Sequence, residues 1–265
     1  MKSWIPDNRN FAYLTWKEVD ALSRESTLLV LPTAAIEQHG PHLPLATDTL
    51  INSILLGAAL ARLPQEAQVY ALPAICYGKS NEHIGFPGTL SVSASTFMAV
   101  VRDLGASIAA SGFKKLVLYN THGGNSSLVD VMARDLRAEF GLRVFSLFGS
   151  AGAAFTGLGE QERAYGFHAG EIETSFLLSA IPGLVHTNEY TVNYIAEITK
   201  PELLRPENAP ATFAWLTRDI ASSGVMGDPN PSSAEKGTLW IEEATQKIAA
   251  ALAAMAVHAG PRKTS

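Results

Sequence analysis

Short apolar runs alternate with segments of helical length through the first half of the chain, and this alternation narrows the possible folds more than any other feature. Thr27 to Leu31, Val69 to Ile75, Lys115 to Tyr119 and Leu142 to Leu147 read as buried strands. Asp48 to Leu63, Ser93 to Ala110 and Ser126 to Phe140 lie between them and read as helices. Thr15-Trp-Lys-Glu18 has capping-box spacing and predicts a short first helix to about Leu22. After Gly149 the alternation loosens. Gly170 to Ala180 reads as a helix ended by Pro182-Gly183, and the capping-box spacing of Ser232-Ser-Ala-Glu235 opens a long helix to about Val257. Strands joined through crossover helices form a mostly parallel sheet with helices on both faces. The expectation is one α/β domain over residues 1–265, with ligands bound at the carboxyl ends of the strands.

Composition removes several function classes. The net charge of −5 comes without a Lys/Arg cluster, which argues against nucleic acid as a partner. Cys76 is the only cysteine, so no intramolecular disulfide forms and a reducing compartment fits. Met1 to Asn10 is polar, unlike a secretory segment, and no apolar run reaches the roughly 20 residues of a membrane span. The expectation is a soluble cytoplasmic protein acting on a small molecule.

The polar chemistry falls just after the expected strands. Glu37-Gln-His39-Gly-Pro-His42 follows the first. Glu37 and His39 stand two apart, so an extended segment aims both from one face, a reasonable start for a Zn, Mn or Fe site. Asp48 opens the next helix and taken alone reads as an N-cap, just as a lone His39 reads as a hydrogen-bonded loop histidine. Asn120-Thr-His122-Gly-Gly-Asn125 follows the third strand; its plain reading is a strand-to-helix turn capped by Asn125. His168-Ala-Gly-Glu171-Ile-Glu173-Thr-Ser175 opens a later helix, where both acids would oppose the helix dipole. Behind the second strand, Ser80, Glu82 and His83 could line a pocket. Four of the seven histidines, His39, His42, His122 and His168, lie in the three main motifs, which points to a site rather than to scattered structural rings. Ser80 and Cys76 offer nucleophiles for a serine or cysteine hydrolase, but no Gly-x-Ser-x-Gly elbow is present.

These three motifs, with Phe86-Pro-Gly-Thr89 and Ala234-Glu-Lys-Gly237, resemble the creatininase (creatinine amidohydrolase) family in order along nearly the whole chain. The resemblance implies a creatininase-like single domain, often hexameric, that holds two divalent ions (Zn, Mn or Fe) and hydrolyses C–N bonds of linear or cyclic amides with a metal-bridging hydroxide. It implies that Glu37 and His122 hold one metal, His39 the other, that Asp48 bridges them, and that His168 transfers the proton. Two departures stand out. Creatininase has a Tyr-Glu pair where this chain has Gly123-Gly124, so one metal carboxylate is absent and either Glu171 or Glu173 is expected to replace it; the compensation argument favours Glu171. Creatininase also has a Trp-Asp pair before the third-motif histidine, where this chain has Ala164-Tyr165, which disfavours creatinine and makes Tyr165 a substrate-contact candidate. Hydrolysis of a keto-inositol-like ring, and a non-catalytic binding protein with a degraded site, are the alternatives.

Overall fold

The computed structural model describes residues 4–195, 202–206 and 209–260. Helix α1 (Trp16–Ala21) carries the expected reciprocal capping box between Thr15 and Glu18. Strand β1 (Leu28–Thr33) leads into α2 (Thr47–Ala61), then β2 (Val69–Ala71), α3 (Ala94–Ala110), β3 (Lys115–Asn120), α4 (Ser126–Phe140) and β4 (Arg143–Phe148). All four strands are parallel, in the order β2-β1-β3-β4, with Leu28 opposite Val69 on one side and opposite Lys115 on the other. The remainder supplies α5 (Glu160–Tyr165), α6 (Glu171–Ala180), the two-residue strands β5 (Leu204–Arg205) and β6 (Ala211–Thr212), α7 (Thr217–Ile220) and the long α8 (Ala234–Val257).

The period-two alternation of β1 explains why both sheet faces are covered. Leu28 and Val30 pack into a core with Leu55, Leu56 and Leu60 of α2 and Trp240 and Ile248 of α8. Leu29 and Leu31 point the other way, against Phe97 and Val101 of α3 and Val129 and Leu136 of α4. Each such side chain contributes about 1.5–3 kcal/mol when fully buried. On the first face α6 and α8 pack tightly: a methyl group at Gly237 would collide with the Ser175 carbonyl oxygen.

The sequence expectations shift in places. β1 runs through Pro32 to Thr33, because Pro32 keeps its carbonyl, which accepts from the Ile75 amide at 2.9 Å. β2 stops at Ala71, shortly before Pro73, and only an isolated bridge pairs Thr33 with Ile75. Ser233, not Ser232, caps α8, accepting from the Lys236 amide. Elements α5, α7, β5 and β6 lacked a readable pattern because they are two to six residues long.

Candidate metal centre

The loop after β1 carries Glu37 and His39, α2 carries Asp48, the turn after β3 carries His122, and the approach to α6 carries His168 and Glu173. These segments meet at the carboxyl ends of the strands. Asp48 is not a cap: it sits inside the first turn of α2, 3% exposed, and Ala46 holds the N-cap position. Its Oδ1 lies 3.5 Å from His39 Nε2 and its Oδ2 lies 3.1 Å from His122 Nδ1, so one carboxylate faces two imidazoles. Glu37 Oε2 stands 3.3 Å from the same His122 nitrogen, and Glu173 Oε1 stands 3.9 Å from His39 Nε2.

Backbone carbonyls decide which nitrogen of each ring faces inward. His39 Nδ1 lies 3.2 Å from Glu37 O, His122 Nε2 lies 3.0 Å from Lys79 O, and His168 Nε2 lies 2.7 Å from Gln38 O. A carbonyl only accepts, so each outer nitrogen carries a proton, and the inner nitrogen of the neutral ring is the one left to face a cation. The three rings His39, His168 and His83 stack in sequence, with centroids 4.2 and 4.3 Å apart.

This donor set fits divalent cations. Glu37 Oε2, His39 Nε2 and Asp48 Oδ2 are buried and have no hydrogen-bond partner, an arrangement that is costly unless something charged satisfies them. The field agrees. Burial alone would depress His39, but the Glu173, Asp48 and Glu37 carboxylates outweigh it and raise the ring to about 9. His122 is likewise raised well above its ordinary value, burial being overcome by Glu37 and Asp48. Desolvation pushes Glu173 up to about 7, against the pull of His39 and with Asp48 adding to it. Thus the cluster calls for positive charge, which protons supply in the free protein and oxygen- and nitrogen-liganded divalent cations can supply instead. His168 and His83 behave oppositely: burial lowers His168 well below its usual range and His83 to about 3, so both are neutral.

Glu171 is not brought to this cluster. It is 2% exposed and paired with Lys236 Nζ of α8, while Glu173 reaches the cluster, so of the two acids the geometry favours Glu173. The reason is helical geometry: residues two apart leave a helix on different faces. Tyr165 also lies elsewhere, its ring 5.9 Å beneath the Arg205 guanidinium. Ser80, Glu82 and His83 do gather at the centre: Ser80 Oγ is 3.2 Å from His122 Nε2, Glu82 Oε1 is 3.7 Å from it, and His83 Nε2 is 3.4 Å from Glu37 Oε1. Asn125 holds the N-cap position of α4 but makes no side-chain capping bond; its amide accepts from Lys79 N and donates to Ala34 O, tying three loops together.

Gly124 is required here, because a side chain would collide with the Lys79 carbonyl and the Glu82 carboxylate. The second-motif glycine therefore leaves room for Glu82. Sequence reasoning passed over Gln38, whose amide nitrogen lies 2.8 Å from His83 Nδ1 and donates to Gly224 O, while its oxygen accepts from Gly40 N. It also passed over the walls of the adjoining cleft of about 570 Å³, where Lys79, Phe167 and Trp215 stand. Phe167 and Trp215 pack edge to face at 5.3 Å, and their 48-residue separation leaves no local signal.

The creatininase family profile, creatinine amidohydrolase, matches residues 12–252. The chain is 36% identical over 215 residues to the mycofactocin precursor peptide peptidase of Mycobacterium ulcerans (strain Agy99), covering 79% of this chain and 78% of that protein. It is 30% identical over 258 residues to the creatinine amidohydrolase of Pseudomonas putida, covering 90% and 94%. Among solved structures, a manganese creatininase superposes with a TM-score of 0.71 at 27% identity, over 95% of this chain and 98% of that one. A creatininase of Zn–Zn type superposes at 0.70, also at 27% identity and with the same coverage. With the profile spanning nearly the whole chain and the relatives aligned over most of their lengths, this protein belongs to the creatininase family of hydrolases.

Proposed function

We propose that this protein is a dinuclear metal-dependent amidohydrolase that cleaves the C–N bond of an open-chain amide, with a peptide bond the favoured case. The observation that carries the reading is Asp48, whose two oxygens face His39 and His122 separately. Glu37, His122 and Asp48 would hold one cation, and His39, Asp48 and Glu173 would hold a second. Paired cations of this kind lower the pKa of water to about 7 and polarise a carbonyl.

The chain's own groups supply the rest. His168, kept neutral by burial, presents its Nδ1 3.8 Å from Glu37 Oε1 and can take up a proton and deliver it to the departing nitrogen. Gln38 holds His168 through its backbone oxygen and His83 through its side chain, which locks the ring stack. The cleft bearing Lys79, Glu82 and Trp215 receives the substrate. Peptide chemistry is favoured over a creatinine ring because Ala164-Tyr165 stands where creatininase has its Trp-Asp pair and a 36%-identical relative is a peptide peptidase. Glu173 restores the carboxylate lost at Gly124, which argues against a degraded, non-catalytic site.

Metal analysis of Asp48→Ala tests this. The variant is expected to bind markedly less metal than wild type and to lose amide hydrolysis; full stoichiometry with full turnover would overturn the proposal.

A further inference from the structure

Beside the polar cleft lies a second cavity of about 190 Å³, built mainly from Ile51 and Leu55 of α2, Ile172 and Phe176 of α6, and Phe155. Phe167 and His168 line both spaces, and Glu173 lines the second, so the two cavities meet at the metal-binding cluster. Their characters differ. One is walled by Lys79, Asn81 and Glu82, the other by aliphatic and aromatic side chains.

Of the two carboxylates on this wall, Glu173 belongs to the metal-binding cluster and Glu162 is already occupied. Glu162 accepts from the amides of Glu171 and Asp228 at 2.9 Å each and from the Tyr194 hydroxyl at 2.8 Å, so both of its oxygens are satisfied. Phe155 is held at φ 50°, an uncommon backbone region for an aromatic residue, with its ring against Phe176 and Trp240 at 6.1 and 5.7 Å. The wall is thus formed by a ring locked in place by its neighbours.

We propose that this cavity is a specificity subsite that takes one leucine- or phenylalanine-sized apolar side chain of an amide or peptide substrate, next to the scissile bond. A dry apolar cavity of about 150 Å³ accommodates a benzene molecule, so the space suits one such group and excludes a second. A substrate chain spanning the cluster would place its apolar side chain here and its polar portion against Lys79 and Glu82. The proposal rests on the hydrolase reading above, and the test separates the two.

The probes are acetylated tetrapeptide amides carrying Gly, Ala, Leu, Phe or Asp at each position in turn, offered to manganese-loaded protein. At one position flanking the cleaved bond, Leu or Phe should raise kcat/KM about 10–100-fold over Gly, and Asp should lower it. Ile172→Trp, which fills the cavity, should erase that preference, so that within the variant Leu and Phe peptides react no faster than Gly and Ala peptides; Ile172→Ala should shift it towards Phe. Equal kcat/KM for Gly and Phe at every position would overturn the subsite while leaving the hydrolase intact. If no peptide is cleaved, methyl NMR decides the subsite alone. Benzyl alcohol and isoamyl alcohol, but not methanol, should shift the Ile172 methyl resonance and bind wild type more tightly than the Ile172→Trp protein; no shift overturns it. Should the tryptophan variant fail to fold by circular dichroism, Ile172→Phe fills the cavity in its place.

Discussion

Two glutamates, Glu171 and Glu173, show how much a single residue's placement decides. Both lie in the first turn of α6, and both could have filled the role of the absent second-motif carboxylate. Glu173 Oε1 faces His39, and its Oε2 accepts from the Ala169 amide at 2.6 Å; Glu171 is anchored to Lys236. Glu173→Gln is therefore expected to lower metal content towards one ion per chain and reduce turnover at least tenfold. Glu171→Gln should retain both ions and instead lower the unfolding midpoint, since it breaks the ion pair between a buried carboxylate and the half-buried Lys236 ammonium. Atomic absorption and urea melts on the two variants separate the roles. For His168, the ring whose outer nitrogen donates to Gln38 O, the expected phenotype is different again. His168→Ala should keep its metal while kcat falls about 10²–10⁴-fold, in the range ascribed to general acid–base groups. Loss of metal in that variant would make the ring a ligand.

At the scale of elements, the packing of α6 on α8 holds the acidic first turn of α6 against the loop after β1. The contact depends on the absence of a side chain at Gly237, over the Ser175 carbonyl. Gly237→Ala is expected to cost about 1–3 kcal/mol by overpacking, read from urea unfolding, whereas Gly123→Ala, with open space around it, should be close to neutral. The same element logic explains the histidine stack. Gln38 sits in the loop after β1, and His83 in a turn after β2 whose ring nitrogen also meets the Thr217 hydroxyl of α7 at 2.8 Å. A ring in the cluster is thus fixed by an element distant in sequence that carries no motif of its own.

For the whole molecule, the buried histidines set an acid limit. His42 is fully buried, its Nε2 3.0 Å from the Thr174 hydroxyl and its ring edge-on to Tyr190, and burial lowers it to about 4. The unfolded chain, with an ordinary imidazole near 6.5, binds the proton first. Its contribution to stability is therefore complete above about pH 6.5 and is lost as pH falls towards 4, at about 1.4 kcal/mol per unit. His42→Gln keeps a partner for Thr174 and removes the titration. Urea unfolding at pH 7.5 and pH 5 should show a clearly smaller loss of stability in the variant than in wild type; equal losses would remove His42 as the cause. No helix among the described residues is long and apolar enough to cross a membrane.

The four main strands, the helices between them and the three motif loops were legible in the amino-acid sequence, because each rests on a local signal: apolar period, capping residue, glycine turn. Which residues of the apolar run in β1 face which core, Leu28 and Val30 against Leu29 and Leu31, was decided by the sheet. What remained beyond reach depends on groups far apart in the chain. Which nitrogen of each histidine faces inward follows from carbonyls of Glu37, Gln38 and Lys79, and the placing of Glu173 rather than Glu171 beside His39 goes with the pairing of Glu171 to Lys236 of α8. The apolar cavity is likewise a product of assembly, since α2, α6 and the loop holding Phe155 enclose it only once the sheet has brought them together. Local free energies write the elements; the convergence of charges and cavities is a property of packing, which no short window of sequence contains.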